Sequence, residues 1–201
     1  MEGCIGLQGK AKSSALHYKE ERQNHWNSLA GKMDSWKSLG GYYHKRISEI
    51  YQFLIVPDQR ILEVGCGKGD LLASLEPSVG VGIDFSVEMI SRARQKYPDL
   101  RFICCDAHEL DLDEKFDVII LSDLVNDLWD VQTVFQQIQK LCTPQTRIIL
   151  NLYSQVWELP LKCAQHLQLA SPILAQNWLT VEDITNMMHL AGFEVIRHWS
   201  E

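Results

Sequence analysis

The chain has 201 residues, 46% of them apolar and 22% charged, with a net charge of −7 at neutral pH. This balance suits one globular domain with a sizeable core and excludes a disordered or fibrous chain. The longest apolar runs, Phe53 to Val56 and Val118 to Leu121, fall far short of the roughly 18 residues of a membrane span, so a soluble protein is expected.

Residues 1–60 carry nine Lys and Arg against six Asp and Glu, whereas residues 61–201 carry ten against twenty. An acidic body argues against a nucleic-acid substrate, and the basic leader reads as a solvated helical face. The start, Met1-Glu2-Gly3-Cys4, has neither a basic region followed by an apolar stretch nor a glycine at position 2, which makes cytoplasmic residence the default expectation. Of six cysteines no pair has metal-ligand spacing, so reduced thiols and no metal are expected.

In chain order, residues 1–14 lack periodicity and read as a mobile tail. From Ser14 to about Lys37, Leu16, Trp26, Leu29 and Met33 recur at helical spacing; these first 37 residues form one unit, tail plus N-terminal helix. Gly40-Gly41 is read as a break, and Tyr42 to Leu54 as a second helix with Tyr43, Ile47, Ile50, Tyr51 and Leu54 on one stripe. Beyond Pro57-Asp58 the pattern changes. Arg60 to Val64, Val79 to Ile83, Leu100 to Cys104, Phe116 to Leu121 and Arg147 to Leu152 read as strands; Gly69 to Leu75, Ser86 to Lys96 and Trp129 to Leu141 between them read as helices. Glu158 to Leu169 and Val181 to Ala191 add two helices, and Phe193 to Trp199 a last strand. Near-continuous apolar strands alternating with helices predict an α/β fold: a doubly wound, mostly parallel, Rossmann-like sheet with helices on both faces, binding ligands at the carboxyl ends of its strands.

The first strand, Ile61 to Gly65, opens into Cys66-Gly67-Lys68-Gly69-Asp70. Glycines here let the backbone turn sharply and a ligand approach the main chain. A dinucleotide loop needs G-x-G-x-x-G, but counting from Gly65 the third glycine falls at Gly69 and Asp70 occupies the required place. Glu63 and Asp70 add negative charge that disfavours a pyrophosphate and suits a ligand bearing an ammonium and a sulfonium. The second strand ends in Asp84, twenty-one residues beyond Glu63, where a carboxylate can accept hydrogen bonds from both hydroxyls of a ribose. Phe85 follows near the expected adenine plane, with Ser86 as helix N-cap before Met89. The third strand closes on Asp106-Ala107, where a carboxylate can take the adenine amino group or cap a turn.

Together these elements resemble the class I S-adenosylmethionine-dependent methyltransferases of small-molecule type, over most of the chain from about Tyr42, with Leu62 to Gly69 as the first motif. The resemblance implies that Gly65, Cys66 and Gly67 line the methionine portion of S-adenosylmethionine, with Glu63 meeting its amino group directly or through water. It further implies that Asp84 holds the ribose, that Asp106 and Ala107 contact the adenine, that Phe85, Met89 and Ser122 border the cofactor, and that Tyr43 lies over the cofactor from the preceding helix, where its place on the apolar stripe also reads as core packing. Residues 38–201 then form the cofactor-binding methyltransferase domain, and S-adenosylhomocysteine is the product.

Methyl transfer is an in-line displacement at an activated carbon, so holding donor and acceptor together is most of the task. If a hydroxyl accepts, its proton must leave; Asp123 and Asn126, in the loop after the fourth strand, are the first candidates, with Asp127, His44 and His108 behind them. His108 reads as a surface turn residue. No Asn/Asp-Pro-Pro-aromatic signature of amino-group methylation on adenine, cytosine or glutamine is present, which argues against a DNA or glutamine methyltransferase; with the acidic body, a small-molecule acceptor is expected. Asn151 to Ser154, Trp157 and Gln176 to Thr180 are expected over the acceptor side. The family usually ends in two antiparallel strands; one is read here, so the last of seven is expected to be missing, with a shortened C-terminus and an open edge that favours self-association. The alternatives are a nicotinamide or flavin oxidoreductase and a catalytically silent cofactor-binding domain.

Overall fold

The computed structural model describes residues 2–30, 39–152, 174 and 177–199. Tyr153, Ser154, Trp157, Gln176 and the helix expected over Glu158 to Leu169 lie outside them.

Helix α1 (Glu2–Ala30) is continuous, so residues 2–14 are helical and not a mobile tail. The chain has no proline before Pro57, and the Tyr18 to Ala30 part of α1 is docked on the body, so the amino-terminal turns extend an anchored helix and need no nucleus of their own. Helix α2 (Leu39–Leu54) contains Gly40 and Gly41, the expected break, in its first turn, where a glycine costs least.

From Arg60 onward, strands and helices alternate as predicted: β1 (Arg60–Val64), α3 (Asp70–Ser74), β2 (Val79–Asp84), α4 (Val87–Lys96), β3 (Arg101–Cys104), β4 (Phe116–Ser122), α5 (Val131–Gln139) and β5 (Cys142–Asn151). Every pairing is parallel and the order is β3-β2-β1-β4-β5. Winding reverses between β1 and β4, which opens a crevice at the carboxyl ends of the central strands. Side chains alternate between two cores. Ile119 and Leu121 of β4 face α5, whereas Val118 and Ile120 face α2, α3 and α4, and all four are fully buried. Burying each contributes about 1.5–3 kcal/mol.

Helix α6 (Val181–Leu190) starts in a capping box, in which Thr180 and Asp183 each satisfy the other's backbone N–H. Phe193 to Trp199 is a correction: it forms no strand, and the described residues hold a five-stranded sheet. Its alternation has another cause. Phe193 and Val195 pack on the α5–α6 core, the Phe193 N–H is tied to the Met188 carbonyl, and Ile196 stands 92% exposed.

Candidate active site

The turn after β1 is a run of left-handed residues, with Gly65, Gly67 and Gly69 all at positive φ. A Cβ on Gly65 would meet Leu124 Cδ1 at 2.8 Å and one on Gly69 would meet Phe102 Cζ at 2.5 Å, so both glycines are required by conformation and by space. A Cβ on Gly67 would meet nothing within 4 Å, so this glycine borders open space.

Glu63 lies beneath the turn, 3% exposed, with Oε2 accepting the Leu72 N–H of α3 at 3.0 Å. Burial pushes its pKa up to about 8, and the Leu72 hydrogen bond only partly offsets this. Cys66 is buried beside it, and burial raises its thiol pKa. Asp70 is a correction: its carboxylate faces outward to Lys96 and to the Tyr97 hydroxyl at 2.7 Å, and with Glu63 keeping its proton up to about pH 8 the carboxylate left beside the turn is that of Asp84.

Asp84 accepts the Gly67 N–H at 2.9 Å through Oδ2 and the Ser86 N–H at 2.8 Å through Oδ1. One lone pair on each oxygen stays open for a pair of hydroxyls. Burial raises its pKa, against the pull of those two N–H donors. Asp106, at the tip of β3, accepts the His108 N–H and Nδ1–H through Oδ1 and pairs with Lys19 through Oδ2 at 2.8 Å. Burial alone would raise its pKa, but these donors outweigh it and hold the carboxyl well below the usual range.

Gly65, Asp84, Phe85, Asp106 and Ala107 line a cavity of about 360 Å³ whose wall is otherwise largely apolar, including Ile83, Leu124 and Trp129. Glu63, Cys66, Gly67, Met89 and Ser122 lie outside its lining. Met89 is buried at the first turn of α4, where its N–H meets the Ser86 cap.

The opposite wall is α1, which sequence reasoning missed. Tyr18, Lys19 and Arg22 line the cavity. The Arg22 guanidinium, 3% exposed and 3.4 Å from the Tyr18 ring centroid, donates to Asp127 Oδ1 at 2.8 Å, while Trp26 Nε1 donates to Oδ2 at 2.8 Å. Gln23 donates to the Phe85 carbonyl. The solvated face read for the basic leader does not hold at Lys19 and Arg22, whose cations neutralise carboxylates of the acidic body. The docking stripe, Tyr18, Lys19, Arg22, Gln23 and Trp26, has helical spacing, but its polar members hid it from a search for apolar periodicity.

Across the switch point, Asp123 holds a left-handed backbone at φ 55, unusual for a residue with a side chain. Tyr43 of α2 donates to its Oδ1 at 2.6 Å, Asn151 at the end of β5 donates to the same oxygen, and the buried Tyr51 donates to Asn151 Oδ1 at 2.9 Å. Burial raises the Asp123 pKa despite these donors. Ser122 lies beside Tyr51. The structure thus brings Tyr43, Ser122 and Asp123 together, joined by Tyr51 and Asn151. Asn126 is placed differently: it is fully buried, its side chain donates to the Asn177 carbonyl, and its carbonyl accepts the Asn177 N–H, each at 2.8 Å.

A parallel sheet of this order, with three acidic strand tips around a glycine turn, defines a nucleotide-binding α/β domain. Residues 55–192 match the family described as methyltransferase domain, and the chain belongs to it. The demethylmenaquinone methyltransferase of Oceanobacillus iheyensis is 30% identical over 152 residues, covering 68% of this chain and 64% of that protein. A putative methyltransferase in complex with its Trm112 activator from Haloferax volcanii has the same fold, with a TM-score of 0.69 at 16% identity, covering 86% of this chain and 77% of the other. The magnesium protoporphyrin IX methyltransferase of Synechocystis PCC 6803 with bound S-adenosylhomocysteine gives 0.56 at 19% identity, over 88% and 74%. The chain spans 64% or less of the length of the curated relatives that it matches.

Proposed function

We propose that this chain transfers a methyl group from S-adenosylmethionine to a small-molecule acceptor and leaves S-adenosylhomocysteine. The observation that carries this reading is the convergence of Asp84 and Asp106 on one cavity of about 360 Å³ beside the Gly65 turn, with the buried Glu63 beneath it. An apolar slot with two acidic groups fits an adenosine, and net negative charge fits a cation. Family membership supports this cofactor over the nicotinamide or flavin alternative.

In this reading Asp84 takes the ribose hydroxyls, Asp106 and Ala107 the adenine edge, Phe85 its face, and Gly65 and Gly67 the methionine portion. Glu63 and Cys66 act from beneath the turn, where the arriving ammonium favours the ionised form of Glu63 and draws off its proton. Met89 supports the Ser86 cap. When bound, S-adenosylmethionine supplies a methyl carbon already activated by its sulfonium. Asp123 accepts the proton that an acceptor hydroxyl or amine loses, Tyr43 and Asn151 orient its carboxylate, and Ser122 borders them. Asn126 holds the loop through Asn177. No helix among the described residues is long and apolar enough to cross a membrane. The free thiols of Cys66, Cys104, Cys105 and Cys142 fit a reducing compartment, and we place the protein in the cytoplasm. The acidic body supports a small-molecule acceptor rather than nucleic acid.

Incubation with S-adenosylmethionine and a small-molecule cell extract, with products followed by mass, tests the reading. The wild type is expected to release S-adenosylhomocysteine, and Asp123→Asn, which tolerates a left-handed backbone, to slow release by about 10²-fold. Cofactor binding without release would establish the silent domain instead.

A further inference from the structure

We propose that His108 is a positioning residue for the cofactor's base: it locks the Asp106 carboxylate so that Oδ2 reads an exocyclic amino group and rejects a carbonyl. The proposal rests on the adenine role of Asp106 given above. All four polar groups of His108 are engaged. Its backbone N–H donates to Asp106 Oδ1 at 2.9 Å, its ring Nδ1 meets the same oxygen at 2.6 Å, and its carbonyl accepts the Gln137 side-chain amide at 3.0 Å. Ring Nε2 accepts the Asp130 backbone N–H at 3.2 Å. An N–H aimed at Nε2 needs a lone pair there, so the ring proton resides on Nδ1 and is donated to Asp106.

Two donors on Oδ1 fix the rotation of the carboxylate and leave Oδ2 as the oxygen with acceptor capacity, shared with the half-exposed Lys19 at 2.8 Å. Asp106, His108 and Lys19 all line the cavity. The anchor behind His108 is rigid: Asp130 caps α5, taking the Thr133 N–H at 3.0 Å and its hydroxyl at 2.7 Å. A carboxylate held as an acceptor binds an amino group and repels a carbonyl oxygen, which makes the base a site of selection, because a wrong base leaves a buried acceptor facing another acceptor.

Calorimetry with S-adenosylhomocysteine and S-inosylhomocysteine, whose bases differ at C6, amino against carbonyl, and in the N1 proton that accompanies the carbonyl, tests this. The readout is the ratio of the two dissociation constants, which general weakening of the pocket does not move. The wild type is expected to prefer the adenosyl compound by at least tenfold. His108→Phe fills the ring's space without a donor and is expected to bring the ratio near unity, whereas His108→Asn, which keeps a donor at the Nδ1 position, retains most of the preference. Should His108→Phe fail to fold, His108→Ala carries the same comparison. A wild-type preference that survives in the Phe or Ala variant overturns the role of His108 while leaving Asp106 in place. A wild type that does not prefer the adenosyl compound overturns the reading of Asp106, and the positioning role with it.

Discussion

Glu63 ends β1 where the backbone turns into the glycine loop, and burial there makes a carboxylate behave as a proton carrier. Its pKa of about 8, against an ordinary 4.5, means that the folded chain holds a proton that the unfolded chain gives up between those values. The folded state binds more protons across that window, so Glu63 lowers stability as pH rises from about 4.5 towards 8, by at most about 1.4 kcal/mol per unit. Urea denaturation at pH 6, 7 and 8 should show wild-type stability falling relative to Glu63→Gln, which keeps a carbonyl for the Leu72 N–H. Parallel curves for the two proteins would remove the assignment. At this scale the sequence was informative about which residues end strands and silent about how they are held. Asp84 and Asp106 are legible as strand-end carboxylates because each closes an apolar run, and Asp106 also fills the other role open to it, capping the turn at His108. Asp70, equally acidic and nearer the turn, faces outward to Lys96 and Tyr97, partners twenty-six and twenty-seven residues away that its local sequence does not show.

Among the elements, β1 to β5 and α3 to α6 are legible in sequence because burial on both sheet faces enforces apolar runs, and a cap such as Ser86 marks a helix start. Helix α1 is legible as a helix from Ser14 onward but its docking is not, because it docks through polar side chains onto carboxylates that are remote in sequence. The Arg22 pair with Asp127 spans 105 residues, and neither member shows a partner locally. Breaking a buried pair leaves a stranded charge, so Arg22→Ala should cost about 3 kcal/mol in denaturant titration and weaken cofactor binding, because α1 is a wall of the cavity. Unchanged stability together with unchanged affinity would show that α1 is not part of the site. Phe193 to Trp199 failed for the opposite reason: its apolar members fill the α5–α6 core, and alternation alone does not distinguish a strand from an extended segment packed on one side.

For the whole molecule, strand order places the glycine turn and the carboxylates of β1, β2 and β3 at one end of a parallel sheet, and α1 converts that end from an open crevice into a walled cavity. The charge asymmetry of the sequence is spent in this closure, as Lys19 meets Asp106 and Arg22 meets Asp127. Among the described residues β3 and β5 are the sheet edges. We expect self-association through such an edge, and sedimentation velocity over a hundredfold concentration range should show a concentration-dependent dimer; one monomeric species throughout would contradict it. Titration calorimetry of the same protein with S-adenosylmethionine and with NAD tests the identity of the cofactor most directly. One site binding S-adenosylmethionine, weakened at least tenfold in Asp84→Ala and without heat from NAD, is the predicted result. Binding of NAD with no heat from S-adenosylmethionine would contradict the account.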